Sequence, residues 1–519
     1  MRGAWTRLLL VFVFVLASCS SNRNTTEPGT VNFLIESMPT NLDPRVGTDA
    51  FSAHLDGLIF SSLVAHDAQM NIIPDLAESW ETPDPLTYVF HLRPGVKFHD
   101  GRVLTSADVK YTFDSILTGA VRTTKRGAFR MVAAIEAPDE MTVVFHLREA
   151  FASFLWNLTR PGVGIVPRGA GPEISQHPNG TGPFRFIDMK TDEEIVLERN
   201  HDYFGAKTEA AQDPTGTGTK IERVRFRIVP DAIVRALELR KGSADAEINS
   251  LTPDMVATLG KEPGIVADEQ PGTPLTYVAF NFDDPVLAHR EVRQALAYAT
   301  DRATIIRYLL RGQARAASSL LPPNHWAYEP DVKQYDFDPA RAERLLDAAG
   351  YRRGADGTRI HLTLKTSTDE SARLYAAVLA DQWKRVGVAL ELKSLEFATF
   401  YADITRGSFQ LSTQRWVGGN SDPDMFEYVF SSKKVPPEGA NRGHYRNPQL
   451  DALLDRARVE MDREKRKAIL SQVQKIVAED EPYINLWYPD NVCVHRAKLT
   501  GVDIPPGGDY EFLAGASLR

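Results

Sequence analysis

Two segments of nearly the same sequence, Thr87-Tyr-Val-Phe-His-Leu-Arg93 and Thr142-Val-Val-Phe-His-Leu-Arg148, alternate apolar and polar residues. A period of two predicts a pair of half-buried strands, placed together in one small sheet. The likeness ends within a few residues of each segment, so it reflects two strands solving one packing problem and not a duplicated domain. His91 and His146 then fall on a strand face; a shared metal site would need further ligands at closed-site spacing. Between the copies, Pro94-Gly95 and Asp100-Gly101 place turns around Val96–His99 and predict a hairpin, after which Ser106–Phe113 opens a capped helix. Upstream, Val31–Ile35 reads as a strand that ends in Glu36-Ser37-Met38-Pro39, after which Asn41-Leu42-Asp43-Pro44 signals a turn. Downstream, Gly180-Thr-Gly-Pro-Phe-Arg-Phe186 leads into a strand; a phosphate loop would need Lys and Ser or Thr opening a helix. Glu193–Arg199 continues the β pattern, and residues 205–219 form an insertion before the strand Val224–Val229.

From Val278 the period changes. A short strand, Val278–Phe282, precedes Val292, Ala295, Leu296 and Ala299 at helical spacing. Tyr375, Val378, Leu379, Gln382, Trp383 and Val386 mark one face of a helix followed by the strand Val388–Leu392. Ile469, Val473, Ile476 and Val477 do the same before Pro482–Trp487. Alternating strands and helices predict an α/β lobe.

The N-terminal pattern sets the compartment. Arg2 and Arg7 precede ten apolar residues, Leu8 to Ala17, too few for the roughly 20 a spanning helix needs. The run stops at Leu16-Ala17-Ser18-Cys19, which predicts a lipoprotein signal over residues 1–18, with Cys19 as the lipid-bearing mature N-terminus and 19–30 as a polar tether. A plain signal peptide or an uncleaved anchor is the alternative. With Cys19 lipidated, Cys493 has no partner for a disulfide, so stability must come from hydrophobic cores. The formal net charge of −8, without a concentrated basic patch, argues against nucleic acid. At 519 residues the chain is too long for one core.

Several motifs in order resemble the extracellular solute-binding protein family 5, the dipeptide-, oligopeptide- and nickel-binding proteins of ABC importers. They are Pro74-Asp-Leu-Ala-Glu-Ser-Trp80, Phe90–Gly101, Gly180–Phe184, Phe280-Asn-Phe282, Val292-Arg-Gln-Ala-Leu296 with Asp301-Arg302, and Ala340–Gly350. The resemblance implies an α/β, two-lobed periplasmic-binding-protein-like fold of the class II, cluster C type with an extra inserted α+β domain. Lobe I would comprise 31–59, 179–271 and 489–519, the inserted domain II 60–178, and lobe II 272–488. It further implies a monomeric, exported protein on the periplasmic or cell-surface face of a membrane. Such a protein holds a peptide or other small extended solute between closing lobes for an ABC permease and ATPase, without a cofactor or bound metal.

The resemblance also places the site. Arg415–Asp424 is expected to line the cleft, with Gly418 and Gly419 allowing close backbone approach beside Asn420. Trp416 reads as a cover for the ligand or as an ordinary core tryptophan. Peptide-binding members carry an aspartate three residues after this tryptophan to pair the ligand's α-ammonium, whereas this chain has Gly419. Either another carboxylate substitutes, Asp422 and Glu36 being the nearest candidates, or the ligand lacks a free amine, in which case a blocked N-terminus costs nothing. Asp422 precedes Pro423 and reads equally as a turn stabiliser. Arg415 suits a ligand carboxylate or phosphate, or a structural ion pair. Asn281 suits ligand main chain, or the capping of a hinge strand. The competing ligands are a short oligosaccharide, a chelated metal and an acidic small molecule. No Gly-x-Ser-x-Gly or His-Glu-x-x-His occurs, which disfavours a secreted hydrolase. A membrane-surface receptor or chaperone without an importer is the third reading.

Overall fold

The computed structural model describes residues 27–159, 163–205, 219–417 and 422–519. The predicted signal, Cys19, most of the 205–219 insertion and Gly418, Gly419 and Asn420 lie outside them.

Five sheets form among the described residues, and the three largest organise the chain. The first has seven strands and draws on distant segments: Thr30–Ile35 pairs in parallel with Arg223–Ile228 and Ala246–Ile248, and the latter lies antiparallel to Asn491–Arg496. Val31, Phe33 and Ile35 alternate onto one core with Phe226 and Tyr510, while Leu34 packs on the opposite face with Val492 and Val494. Helix Ala50–Ile59 covers the first core; the Asp49 side chain caps it, accepting from Ser52 N at 2.9 Å. Gly180 and Gly182 sit so close to this helix that a Cβ would stand 2.0 Å from Ile59 O and 2.5 Å from Leu58 O. These glycines permit backbone contact, which explains a glycine pair in front of the strand Phe184–Lys190.

The second sheet has four antiparallel strands and contains both copies of the repeated segment. Thr87–Leu92 pairs with Thr142–Leu147, Thr87 lying opposite His146. Tyr88, Phe90, Val143 and Phe145 face a core closed by helix Ser106–Leu117. His91 and His146 face outward, within 3.3 Å of Glu81 and 3.6 Å of Glu136 respectively. The helix cap is Thr105, one residue earlier than the sequence implied, and Asp108 accepts from Thr105 N at 2.9 Å.

The six-stranded third sheet has helices on both faces. Its central strand, Leu275–Phe280, is buried throughout: Val278 and Phe280 enter one core with Leu362, Leu364 and Trp383, while Tyr277 and Ala279 enter another with Phe400 and Phe426. Burial on both sides removes the polar alternation that would mark its true start, three residues before the expected Val278. Ile360–Ser367 and Val388–Leu395 run in parallel across helix Glu370–Arg385, a βαβ unit.

Two connections join the first sheet to the third. Residues 271–274 link strand Ile265–Gln270 to Leu275–Phe280, and Asp490 links Tyr483–Pro489 to Asn491–Arg496. They run in contact. A Cβ on Gly272 would lie 2.3 Å from Pro489 O, and Arg315 ties them by donating to Gly272 O at 3.0 Å and to Asp490 Oδ1 at 3.1 Å.

A third contact joins the four-stranded layer to the third sheet's lobe. Ser153 Oγ donates to Asp422 Oδ1 at 2.8 Å, and Arg466 Nη2 donates to Ser153 Oγ and to Asp424 Oδ1, each at 2.8 Å.

Candidate functional site

A cavity of about 680 Å³ opens between the two large lobes, beside the paired connections. That volume lies in the range of small-molecule sites. The C-terminal end of strand Thr30–Ile35 delivers Glu36 to one wall, and strand Ala246–Ile248 with the turn after it delivers Glu247 and Ser250. From the other lobe come Asp369 and Tyr375, at the start of helix Glu370–Arg385, and Arg415, near the end of strand Leu411–Trp416. Asp490 forms part of the floor. Its position in the crossover means any relative rotation of the lobes is felt at the site.

Electrostatically the walls differ. On the second lobe, the Arg415 side chain makes no hydrogen bond or ion pair among the described residues, although Asp369 and Tyr375 act on its charge. Enclosure by the cleft lowers its pKa from the ordinary arginine value, yet a guanidinium of this kind stays cationic. Its side chain remains open to the cavity. Burial pushes the Tyr375 phenol up to about 12, so it acts as a neutral hydroxyl. The first lobe's wall is acidic. Glu36 is half exposed and pairs with Arg235 at 3.3 Å. Glu247 is only 1% exposed, and desolvation raises its carboxyl to about 7 against the opposing hydrogen bonds from Ser250.

Of the residues singled out from the sequence, Glu36 and Arg415 line this cavity and three others are placed elsewhere. Asn281 is spent on tying its own turn to the segment after helix Phe397–Thr405, its Nδ2 donating to Gly407 O at 2.9 Å and Phe409 O at 2.7 Å, while Oδ1 accepts from Asp283 N at 3.0 Å. Asp422 is buried in the contact with Ser153 and receives Asp424 N at 2.7 Å, so it serves a turn and an interdomain bond. Trp416 packs against the core of the second large lobe, stacked on Tyr277 with centroids 5.9 Å apart and with the Arg442 guanidinium 5.2 Å from its ring centre. The adjoining Val417 reaches the cavity instead. Gly418, Gly419 and Asn420 are beyond the described residues.

Glu247, Asp369 and Tyr375 escaped sequence reasoning. Tyr375 was read only as a helix-face apolar residue. Glu247 sits inside Ala246-Glu-Ile248, a three-residue strand too short for any periodicity; a buried charge in a β run was its one signal.

Among the described residues no helix is long and apolar enough to cross a membrane, and no group of three or more His, Cys, Asp or Glu side chains is gathered for a metal ion.

Residues 71–436 match the model of the bacterial extracellular solute-binding proteins, family 5 (Middle). The chain is 30% identical to di/tripeptide-binding protein 1 of Pseudomonas aeruginosa, covering 90% of this chain and 91% of that protein. It is 28% identical to heme-binding protein A of Haemophilus influenzae, over 99% and 98% of the two chains. The fold matches the ABC transporter-associated periplasmic binding protein DppA of Helicobacter pylori, solved with the peptide STSA, at a TM-score of 0.75 and 26% identity, over 94% of this chain and 98% of that one. With a two-lobed architecture, a cleft between the lobes and a family match across most of its length, the chain belongs to the bacterial extracellular solute-binding proteins, family 5.

Proposed function

We propose that this protein is the lipid-anchored, monomeric capture component of an ABC importer, held to a membrane by the diacylglyceryl-modified Cys19. It binds a peptide-like solute between its lobes and presents the closed form to the permease. The cavity beside two tethered crossovers carries the reading: a site built half from each lobe is buried when the lobes rotate together, and burial is what lets a few polar groups hold a solute. The three sheets support a division into lobe I (31–59, 179–271, 489–519), domain II (60–178) and lobe II (272–488). Glu36 and Arg415 are the ligand contacts retained from the sequence reading. The di/tripeptide-binding relative supports a peptide; heme-binding protein A is a reminder that the same body serves other solutes. Arg415, without a protein partner among the described residues, favours an acidic solute or a free carboxyl end within either class.

Native protein purified from membranes is the test. Mass spectrometry of the solute released on unfolding is expected to return short peptides, and lipid analysis a modified Cys19 that Cys19→Ala abolishes. A released sugar or metal chelate would overturn the peptide assignment. Catalytic turnover of added peptides, removed by one side-chain change, would overturn the binding-protein reading altogether.

A further inference from the structure

Four carboxylates line the cavity, and three are already engaged. Glu36 pairs with Arg235 at 3.3 Å, Asp490 accepts from Arg315 Nε at 3.1 Å, and Asp369 caps its helix by accepting from Ala372 N at 2.8 Å. Glu247 differs. Its Oε2 accepts from Ser250 N at 3.0 Å and from the Ser250 hydroxyl, while its Oε1 is buried and has no hydrogen-bond partner. A buried carboxylate oxygen left in this way is costly when ionised. Either the group holds a proton or a donor from outside the protein completes it.

The surroundings favour the second. Arg235 is the cation nearest in effect, but it donates to Val229 O, Pro230 O, Ser250 O and Glu36 and forms no direct pair with Glu247. Cys493, from the neighbouring strand, and Tyr510, from the C-terminal segment, are driven by burial to higher pKa values and remain neutral. Glu36 adds negative charge on the same wall. The four residues after Val417 are Gly-Gly-Asn-Ser, without a carboxylate. The second lobe therefore offers Arg415 and only the already bonded Asp369, whereas the first lobe holds Glu247, the cavity carboxylate whose unpartnered oxygen is buried.

Resting on the reading of this cavity as the solute site, we propose that Glu247 receives the cationic group of the bound solute. For a peptide this is its ammonium, so that the positive end faces the first lobe and the negative end Arg415. Of the two alternatives left open by Gly419, this takes the substitute carboxylate, at a residue other than Asp422 or Glu36, so that a blocked N-terminus is costly.

The test is calorimetric titration of wild type and Glu247→Gln with trialanine, N-acetyl-trialanine and 1,5-diaminopentane, a cation without a peptide group. Loss of one charge-assisted bond corresponds to about tenfold or more in affinity. Wild type is expected to bind N-acetyl-trialanine about tenfold more weakly than trialanine, and Glu247→Gln to lose both amines by that factor while levelling the two peptides. If trialanine fails but the diamine binds and Glu247→Gln loses it, the peptide reading falls and this assignment stands. Unchanged amine binding by Glu247→Gln, or no amine bound by wild type, overturns the assignment. An independent readout needs no variant: with the carboxyl at about 7, wild-type amine affinity should weaken toward tenfold per pH unit as pH falls below that value. A profile flat from about pH 5.5 to about pH 8 overturns it.

Discussion

Replacing Gly272 with alanine asks whether the two crossovers act as one hinge. A Cβ at this position would lie 2.3 Å from Pro489 O and 3.4 Å from Pro274 Cδ. Carbon and carbonyl oxygen rest about 3.3 Å apart or more, so the crossovers must part by about 1 Å. Pro489 O cannot swing aside as a side-chain tip would, because it belongs to the strand that carries buried Trp487 and Tyr488. Overpacking of this kind costs about 1–3 kcal/mol. Separation also strains the two bonds by which Arg315 holds Gly272 O and Asp490, each worth about 1 kcal/mol. The expected destabilisation is therefore about 2–4 kcal/mol, read as a lower urea midpoint. Gly127→Ala is the matched control, since nothing lies within 4 Å of a Cβ there. Small-angle scattering with and without bound solute adds the functional readout, because a hinge forced apart should blunt the compaction on binding. Were Gly272→Ala to unfold within about 0.5 kcal/mol of Gly127→Ala and compact like wild type, the crossovers would not be a coupled hinge.

The remaining predictions concern charge. Arg466→Met leaves Asp424 without its guanidinium in a mostly buried contact, at an expected cost of about 3–5 kcal/mol in urea unfolding; adding Asp424→Asn should recover part of it, and a double variant as unstable as the single would show that the stranded charge is not the cause. For Glu247, a folded value of about 7 lies above the ordinary 4.5, so the folded chain keeps a proton the unfolded chain has released. Its contribution is thus favourable up to about pH 4.5 and is lost as pH rises through 7, on the order of 3 kcal/mol in all. Melting curves of Glu247→Gln from pH 4 to pH 8.5 should lack that part of the decline, and a parallel decline in both proteins would refute it.

The legible parts of this fold were those where one face is wet. Thr87–Leu92 and Thr142–Leu147 alternate and were readable to within a residue; the helices carrying Val292 and Trp383 were readable in kind, but begin at Arg290 and Glu370, before the first apolar residue of each pattern. Leu275–Phe280 was clipped because both faces are buried, and Ala77–Asp84 was missed because most of its side chains are exposed and it carries a proline. The site followed a different rule. Glu36, named as a substitute carboxylate, and Arg415, named from the segment that the resemblance places in the cleft, both line the cavity. Trp416 and Asp422 were placed in the cleft with the Arg415–Asp424 segment and Asn281 with the Phe280-Asn-Phe282 strand; a strand sends successive side chains to opposite faces, and Trp416 turns to the core where Arg415 turns to the cavity. Glu247 needed the register of Ala246–Ile248 against Asn491–Arg496, a pairing across more than two hundred residues that no local pattern encodes.

The division of charge between the walls bears on how closure selects a solute. A ligand shifts an open–closed equilibrium only by its differential affinity for the two forms. Moving that equilibrium from 1:99 to 99:1 takes about 5.5 kcal/mol, and one charge-assisted hydrogen bond supplies about 1.5–3 kcal/mol. A solute held by Arg415 alone, or by Glu247 alone, binds one lobe and gains little from the other's approach. One that meets Glu247 on the first lobe and Arg415 on the second gains the second bond only when the lobes come together. With Glu247 as the cation receptor, both charges on one extended molecule become the condition for closure. A relaxed requirement for the side chains between them then follows from the same arrangement, because the discriminating bonds sit at the ends.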